Sequence, residues 1–155
     1  MTVTAAENTH FHFPAGTPAF GMYKSFSYRF DTPGRSIVFT GDTGPSDAVA
    51  DLAKGADVLV SEVISAEEVR QARVRDGQWA ALSPSEQKDF MRHMTEEHLS
   101  PDEVAKMAAR AGVKTVILTH LPPSKDVDDD YQRLADQVKK GFSGEVFVAA
   151  DLKEF

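Results

Sequence analysis

Two side chains with metal-binding chemistry each follow an apolar run that is typical of a buried strand. Asp42 comes directly after residues 36–40, within Gly41-Asp42-Thr43, and His120 comes after residues 116–119. The carboxyl ends of neighbouring strands meet at one rim of a sheet, and carboxylate and imidazole groups are common ligands of Zn²⁺. The pair therefore points to a metal-dependent hydrolase.

Each of these residues alone also has an ordinary structural interpretation. Asp42 could cap the following helix, since Asp is preferred near helix starts. His120 could be a hydrogen-bonded structural residue, although Pro122 and Pro123 form a rigid loop that would orient it. His98 precedes the predicted helix cap at Ser100, where an exposed helix-end histidine is the simplest interpretation.

The remaining histidines give weaker signals. His10 and His12 stand two residues apart, so in an extended segment they would lie on one side and could chelate one metal ion. The alternative is that both are ordinary strand residues with no metal-binding role. His93 has no supporting context and is expected at the surface.

Composition limits the function classes. With 155 residues and 41% hydrophobic content, we expect one domain over residues 1–155. The net charge of −7 disfavours a nucleic-acid partner unless bound cations or a local patch reverse the field. The absence of cysteine excludes disulfides, thiolate zinc sites and thiol catalysis. The sequence shows no leader pattern and no apolar run of membrane-spanning length, which predicts a cytoplasmic protein without membrane contact.

Local patterns predict strands first and then alternating helices and strands. A hairpin is expected from the period-2 pattern at residues 25–30, the turn at 31–34 and the strand at 36–40. A helix ending at Gly55 should follow. Further elements are predicted at residues 3–8, 58–60, 114–119 and 146–148 as strands, and at 128–140 as a helix.

Two helix starts carry the capping-box pattern. Ser83 and Ser100 are each followed by Pro and, three residues on, by Glu86 and Glu103 respectively. The charged stretch 65–97 is predicted to be a helical insertion with an exposed Trp79.

Taken together, the motifs resemble the metallo-β-lactamase superfamily, in particular its ribonuclease Z and arylsulfatase-like branch. A histidine after a strand, His10, precedes a Gly-containing loop and the hairpin that ends at Gly41-Asp42-Thr43. His98-Leu99-Ser100 matches the family's His-x-Ser/Thr element, and residues 113–120 match the strand that ends in its last metal ligand. The resemblance covers nearly the whole chain.

This resemblance implies a site that holds two zinc ions, with manganese or iron as alternatives. His10 would bind the first metal, Asp42 would bridge both, and His120 would bind the second. Asp42 would also be catalytic. His98 would either position other groups of the site or act directly, donating to the oxyanion of the scissile group or protonating the leaving group. The implied reaction is hydrolysis of a small-molecule or larger ester, such as a phosphodiester or sulfate ester, by a metal-bound hydroxide.

One departure from the family pattern is large. The sequence contains no His-x-His-x-Asp-His motif, which lies in the first half of the duplicated αββα sandwich. We therefore expect an α/β fold equivalent to the C-terminal half, a mixed sheet with helices on one face, with the N-terminal half missing. Such a half offers at most two protein ligands to each metal. A homodimer or a separate N-terminal half would be the partner.

Two other functions stay open at this point. The half-fold could be a noncatalytic dimerisation or regulatory module with remnant ligands, because fold resemblance does not establish function. Asp42 could also be a phosphoacceptor of receiver type, but the expected acidic cluster and active-site lysine are absent.

Overall fold

The structure is a computed structural model that describes residues 1–11, 13, 15–122 and 131–155. The strands are β1 Thr2–Glu7, β2 Phe26–Asp31, β3 Ser36–Phe39, β4 Val58–Glu62, β5 Thr115–Thr119 and β6 Glu145–Val148. The helices are α1 Asp47–Leu52, α2 Ala66–Arg75, α3 Pro84–Glu96, α4 Pro101–Ala111 and α5 Gln132–Val138. Within these ranges, no helix is both long and apolar enough to cross a bilayer.

One mixed sheet contains all of these strands in chain order, β1 to β6. The β1–β2 and β2–β3 pairs are antiparallel, so the predicted hairpin is confirmed. The β3–β4, β4–β5 and β5–β6 pairs are parallel. The carboxyl ends of β3, β4 and β5 consequently share one rim of the sheet.

The core lies between one face of this sheet and the helices. Val38, Leu59 and Val116 are fully buried on that face. They pack in one cluster with the apolar sides of α1, α4 and α5, including Val104 and Leu134. The predicted fold class, a mixed α/β sheet with helices, is confirmed.

The opposite sheet face is apolar but remains open to solvent. Alternation along the strands places Tyr28, Phe39 and Phe147 on this face, where they are 43%, 43% and 37% exposed. Phe30 packs edge-on against Phe39 at a ring separation of 5.7 Å. We call this surface the outer face; exposed apolar residues grouped on one face often mark an interaction surface.

Helix ends follow the sequence signals closely. Both capping boxes, at Ser83 and Ser100, are formed, and Gly112 ends α4 in the left-handed conformation at φ 66°. The N-cap of α1 is Ser46, whose hydroxyl accepts from Val49 N, so the cap interpretation of Asp42 is wrong. The predicted start of the last helix, residues 128–130, lies outside the described residues.

The charged stretch 65–97 contains α2 and α3, and neither of these fully described helices has a buried residue. Trp79 between them is half-buried rather than exposed, because its ring packs edge-on against Phe90 at 6.0 Å and lies under the Arg70 guanidinium. The domain assignment of this stretch as an insertion stays a prediction.

The starts of the three parallel strands β3, β4 and β5 are tied together by Asp57. Its carboxylate accepts from Ser36 N at 2.8 Å and Ser36 Oγ at 2.9 Å, and from Lys114 Nζ at 2.6 Å. The hydrogen bond from Lys114, followed by those from Ser36, holds the pKa of Asp57 far below its ordinary value. The folded chain therefore favours the ionised carboxylate.

Asp57→Asn is expected to make the free energy of unfolding depend less on pH in the acid range. Because the folded pKa is depressed, the Asp57 contribution is present above the unfolded pKa, about 4, and is lost as pH falls through the folded value. Urea unfolding at pH 7 and at lower pH values measures this. The parent should lose more stability on acidification than Asp57→Asn, and equal losses in the two proteins would contradict it.

Candidate metal centre

Side chains from three neighbouring strands meet at the carboxyl rim of the sheet. Asp42 follows β3, Glu62 ends β4 and His120 follows β5. His120 Nε2 lies 3.4 Å from Asp42 Oδ2, and both side chains are partly exposed, at 49% and 37%. His98, just before α4, lies beside them with its ring 5.8 Å from that of His120 and nearly parallel to it.

His10 reaches the same rim from the segment after β1. Its ring lies 5.3 Å from that of His98. The His98 ring thus lies next to the rings of both His10 and His120, and the structure brings together the four site residues that the sequence predicts, Asp42 included. Their roles as ligands and catalyst are a proposal, developed below.

The backbone around Asp42 and His120 is shaped to present these side chains. Gly41 has φ 59°, and a Cβ there would lie 3.4 Å from Phe26 O. His120 itself has φ 51°, which is uncommon for a residue other than glycine and often marks a functional site. The turn at each strand end is therefore constrained where the side chain projects.

A buried histidine–carboxylate pair lies at the centre of the site. His98 and Glu62 are 5% and 1% exposed, and His98 Nδ1 donates to Glu62 Oε2 at 2.7 Å. The other Glu62 oxygen accepts from Thr43 N. Burial disfavours the charged imidazolium, but the hydrogen bond to Glu62 and the charges of Glu62, Asp42 and Glu97 outweigh it, so the pKa of His98 is raised.

The donor groups at the rim fit a zinc-type ion in their chemistry. Among the described residues, ligand atoms of Glu62, His98 and His120 all lie within 4.8 Å of one another. Both Glu62 oxygens already accept hydrogen bonds. Glu62 is therefore better suited to orient His98 than to bind a metal ion itself. Asp42 and His120, by contrast, face each other with ligand atoms 3.4 Å apart.

The tautomer of His10 also suits metal binding. Its Nδ1 lies 3.1 Å from the Glu97 carbonyl oxygen, so Nδ1 carries the proton and donates. Nε2 is then left with its lone pair, as in metal-bound histidines that donate their other nitrogen to a backbone carbonyl.

Two residues near the site were not predicted from the sequence. Glu62 was assigned only to a strand, and His93 was expected at the surface. His93 is 40% exposed, but its ring lies 5.0 Å from that of His98, and its Nδ1 donates to Glu97 at 2.7 Å. The i, i+4 spacing of His93 and Glu97 was the available signal. His12 lies outside the described residues, so its pairing with His10 stays a prediction.

A sequence family described as "Beta-lactamase superfamily domain" matches residues 1–121. The chain belongs to this superfamily. The match includes every site residue described above, from His10 to His120. It confirms the resemblance inferred from the order of the motifs.

Curated relatives of this superfamily member include ribonuclease Z enzymes. The ribonuclease Z of Brevibacillus brevis is 40% identical to this chain over 100 residues, which are 64% of this chain and 25% of the relative. A putative ribonuclease Z of Mycobacterium tuberculosis is 33% identical over 131 residues, 83% of this chain and 50% of the relative. The chain thus spans between a quarter and a half of the length of these relatives.

Two solved structures share the fold of this chain. The metallo-β-lactamase fold protein YhfI from Bacillus subtilis matches with a TM-score of 0.62 at 22% identity, over 95% of this chain and 46% of that one. Human tRNase Z, short form, matches with a TM-score of 0.52 at 19% identity, over 97% of this chain and 41% of that one. At these identities the likeness concerns the fold alone.

Proposed function

We propose that this chain forms part of a metal-dependent hydrolase that cleaves phosphodiester bonds in RNA. The main support for this proposal is the buried His98–Glu62 pair, which lies beside Asp42 and His120 at the rim where β3, β4 and β5 end. The ribonuclease Z relatives support RNA as the substrate class. Other esters, including sulfate esters, are the alternatives that the test must separate.

In this proposal, His10, Asp42 and His120 hold the metal pair. Zinc is the first choice for imidazole and carboxylate donors, and manganese or iron suits the same donors. When bound, the metal ions would supply a nucleophile at neutral pH and polarise the phosphoryl oxygens. His98 donates a proton to the leaving oxygen, and Glu62 keeps Nδ1 protonated so that Nε2 faces the reaction. The raised pKa of His98 favours the charged form that this role needs.

The acidic composition is compatible with an RNA substrate under one condition. A net charge of −7 repels phosphates over the whole surface. Metal cations in the site would reverse the sign locally, where the scissile phosphodiester binds. The sequence-based argument against nucleic acid therefore applies to binding without metal, and the cytoplasmic location stays a prediction.

The noncatalytic half-domain is the less favoured alternative. Curated relatives carry enzyme names. A buried ion pair such as His98–Glu62 also has a high desolvation cost, and pairs of this kind cluster at functional sites. The receiver-type interpretation of Asp42 gains no support, since Asp42 faces His120 rather than a lysine.

The direct test joins this chain to the part of the Mycobacterium tuberculosis relative that precedes its matched region. Hydrolysis of a labelled RNA, bis(p-nitrophenyl) phosphate and p-nitrophenyl sulfate is then measured with and without zinc or manganese. Metal-dependent cleavage of the phosphodiesters is expected. Preferential cleavage of the sulfate ester would reject RNA, and no cleavage of any substrate by a folded, metal-loaded fusion would reject the hydrolase.

The isolated chain is expected to associate, with a homodimer as the leading form. The outer face exposes Tyr28, Phe39 and Phe147, and burying such a face in a second copy or in the missing half removes apolar surface from water. Light scattering over a wide concentration range measures the mass. Phe39→Glu should shift the chain toward monomer, and a parent chain that is monomeric throughout would contradict the prediction.

A further inference from the structure

Three aromatic rings form an exposed cluster next to the candidate metal centre. Phe11, Phe13 and Tyr23 contact one another, with ring separations of 6.1 Å for Phe11–Phe13, 6.0 Å for Phe11–Tyr23 and 5.8 Å for Phe13–Tyr23. Their exposed fractions are 43%, 37% and 56%. We call these three residues the aromatic cluster.

The aromatic cluster is continuous with the site through one contact. The Phe11 ring lies 5.0 Å from the ring of His10, which in turn lies 5.3 Å from that of His98. A substrate at His98 would therefore extend over Phe11 if it continued past His10. The outer face, in contrast, consists of strand residues on the sheet and is a separate surface.

We propose that the aromatic cluster is a stacking platform for unpaired bases that flank the scissile phosphodiester. This inference rests on the proposed function and assigns how the RNA is held beside the site. Every base has a flat π face, so exposed aromatic rings bind bases with little sequence preference. The ligand class is thus single-stranded RNA at or next to the cleavage position.

Charge on the protein argues that stacking, more than phosphate contact, supplies this binding. The net charge is −7, and Lys24, which follows Tyr23, is paired with Glu7 at 2.8 Å. Flat apolar rings offer a base favourable contact without a cation. Rings that served only to stabilise the fold would be expected inside the core, which lies on the helix side of the sheet.

The test measures binding of the 155-residue chain to two labelled hexamers with zinc present, which supplies the local positive charge, and each hexamer is checked for cleavage after binding. One hexamer is oligoadenylate RNA and the other is an abasic phosphodiester of the same charge. The parent should bind the base-bearing hexamer at least tenfold more tightly than the abasic one. Phe11→Leu and Tyr23→Leu should each weaken binding of oligoadenylate about tenfold and leave abasic binding unchanged.

Phe39→Leu is the matched control, because Phe39 is as exposed as Phe11 but lies on the outer face. It should bind both hexamers as the parent does. The proposal would be overturned if the parent and the cluster variants bound oligoadenylate with equal affinity, if the parent bound both hexamers with equal affinity, or if the folded parent bound neither hexamer.

The proposal would also be overturned if light scattering showed that Tyr23→Leu dissociates an oligomer, since the aromatic cluster would then be a protein interface. Hydrolysis by the fusion protein is scored separately, which keeps failure of the platform distinct from failure of the proposed function.

Discussion

His98→Ala is expected to lower kcat for phosphodiester cleavage about 10²- to 10⁴-fold in the fusion with the N-terminal half. His98 is the buried imidazole at the rim whose Nδ1 proton is fixed by Glu62, which makes Nε2 the candidate donor to the leaving oxygen. Steady-state kinetics against bis(p-nitrophenyl) phosphate measures the effect. Metal content is measured on the same samples, because the loss should occur with both metals retained.

Two further variants separate catalysis from packing. Glu62→Gln should also lower kcat, and it should change the pH profile, since removing the carboxylate removes a cause of the raised pKa of His98. His93→Ala is the control within the histidine group, because its Nδ1 contacts Glu97 rather than Glu62. The 155-residue chain alone should hydrolyse poorly with or without metal. Robust turnover by this chain would show that a dimer rebuilds the site.

Asp42→Ala and His120→Ala are each expected to weaken zinc binding by the chain at least tenfold. These two side chains lie 3.4 Å apart at the ends of neighbouring strands, where constrained backbone presents them. Removal of either leaves fewer ligands than a stable site needs. Isothermal titration with zinc, with circular dichroism as a check on folding, measures the change.

His93→Ala and His12→Ala are the controls for this second experiment, and both should bind zinc as the parent does. A different pattern would reject the ligand assignment. If Asp42→Ala binds as tightly as the parent while His12→Ala does not, the metal is held by a local pair of histidines. Loss of zinc binding in Glu62→Ala alone, with Asp42→Ala unaffected, would assign the carboxylate ligand to Glu62 instead.

The features that could be predicted from the sequence are those that depend on residues close together in the chain. The hairpin follows from alternation and a tight turn, and the helix starts at Ser83 and Ser100 follow from capping boxes, because these features depend on residues within a few positions of each other. The order of His10, Asp42, His98 and His120 could be matched to a family pattern for the same reason. Each of these residues stands beside a recognisable strand or cap.

Glu62 could not be predicted in its role because its partners are distant in sequence. It ends an apolar strand, where a carboxylate is simply the first polar residue, and nothing in the strand indicates that its oxygens meet Thr43 N and His98. The contacts of His93 with His10 and His98 were missed for the same reason. Tertiary packing across the rim creates both sets of contacts.

The chain-order arrangement of the sheet has a consequence for how this half of the fold forms. Each strand from β1 to β6 pairs with the strands that precede and follow it in sequence. Every pairing therefore closes a loop between consecutive strands; the longest of these loops, between β4 and β5, contains α2, α3 and α4, and the entropy cost of closing a loop grows only slowly with its length. During synthesis the sheet can grow one strand at a time, and the rim that carries Asp42, Glu62 and His120 is complete as soon as β5 has been added.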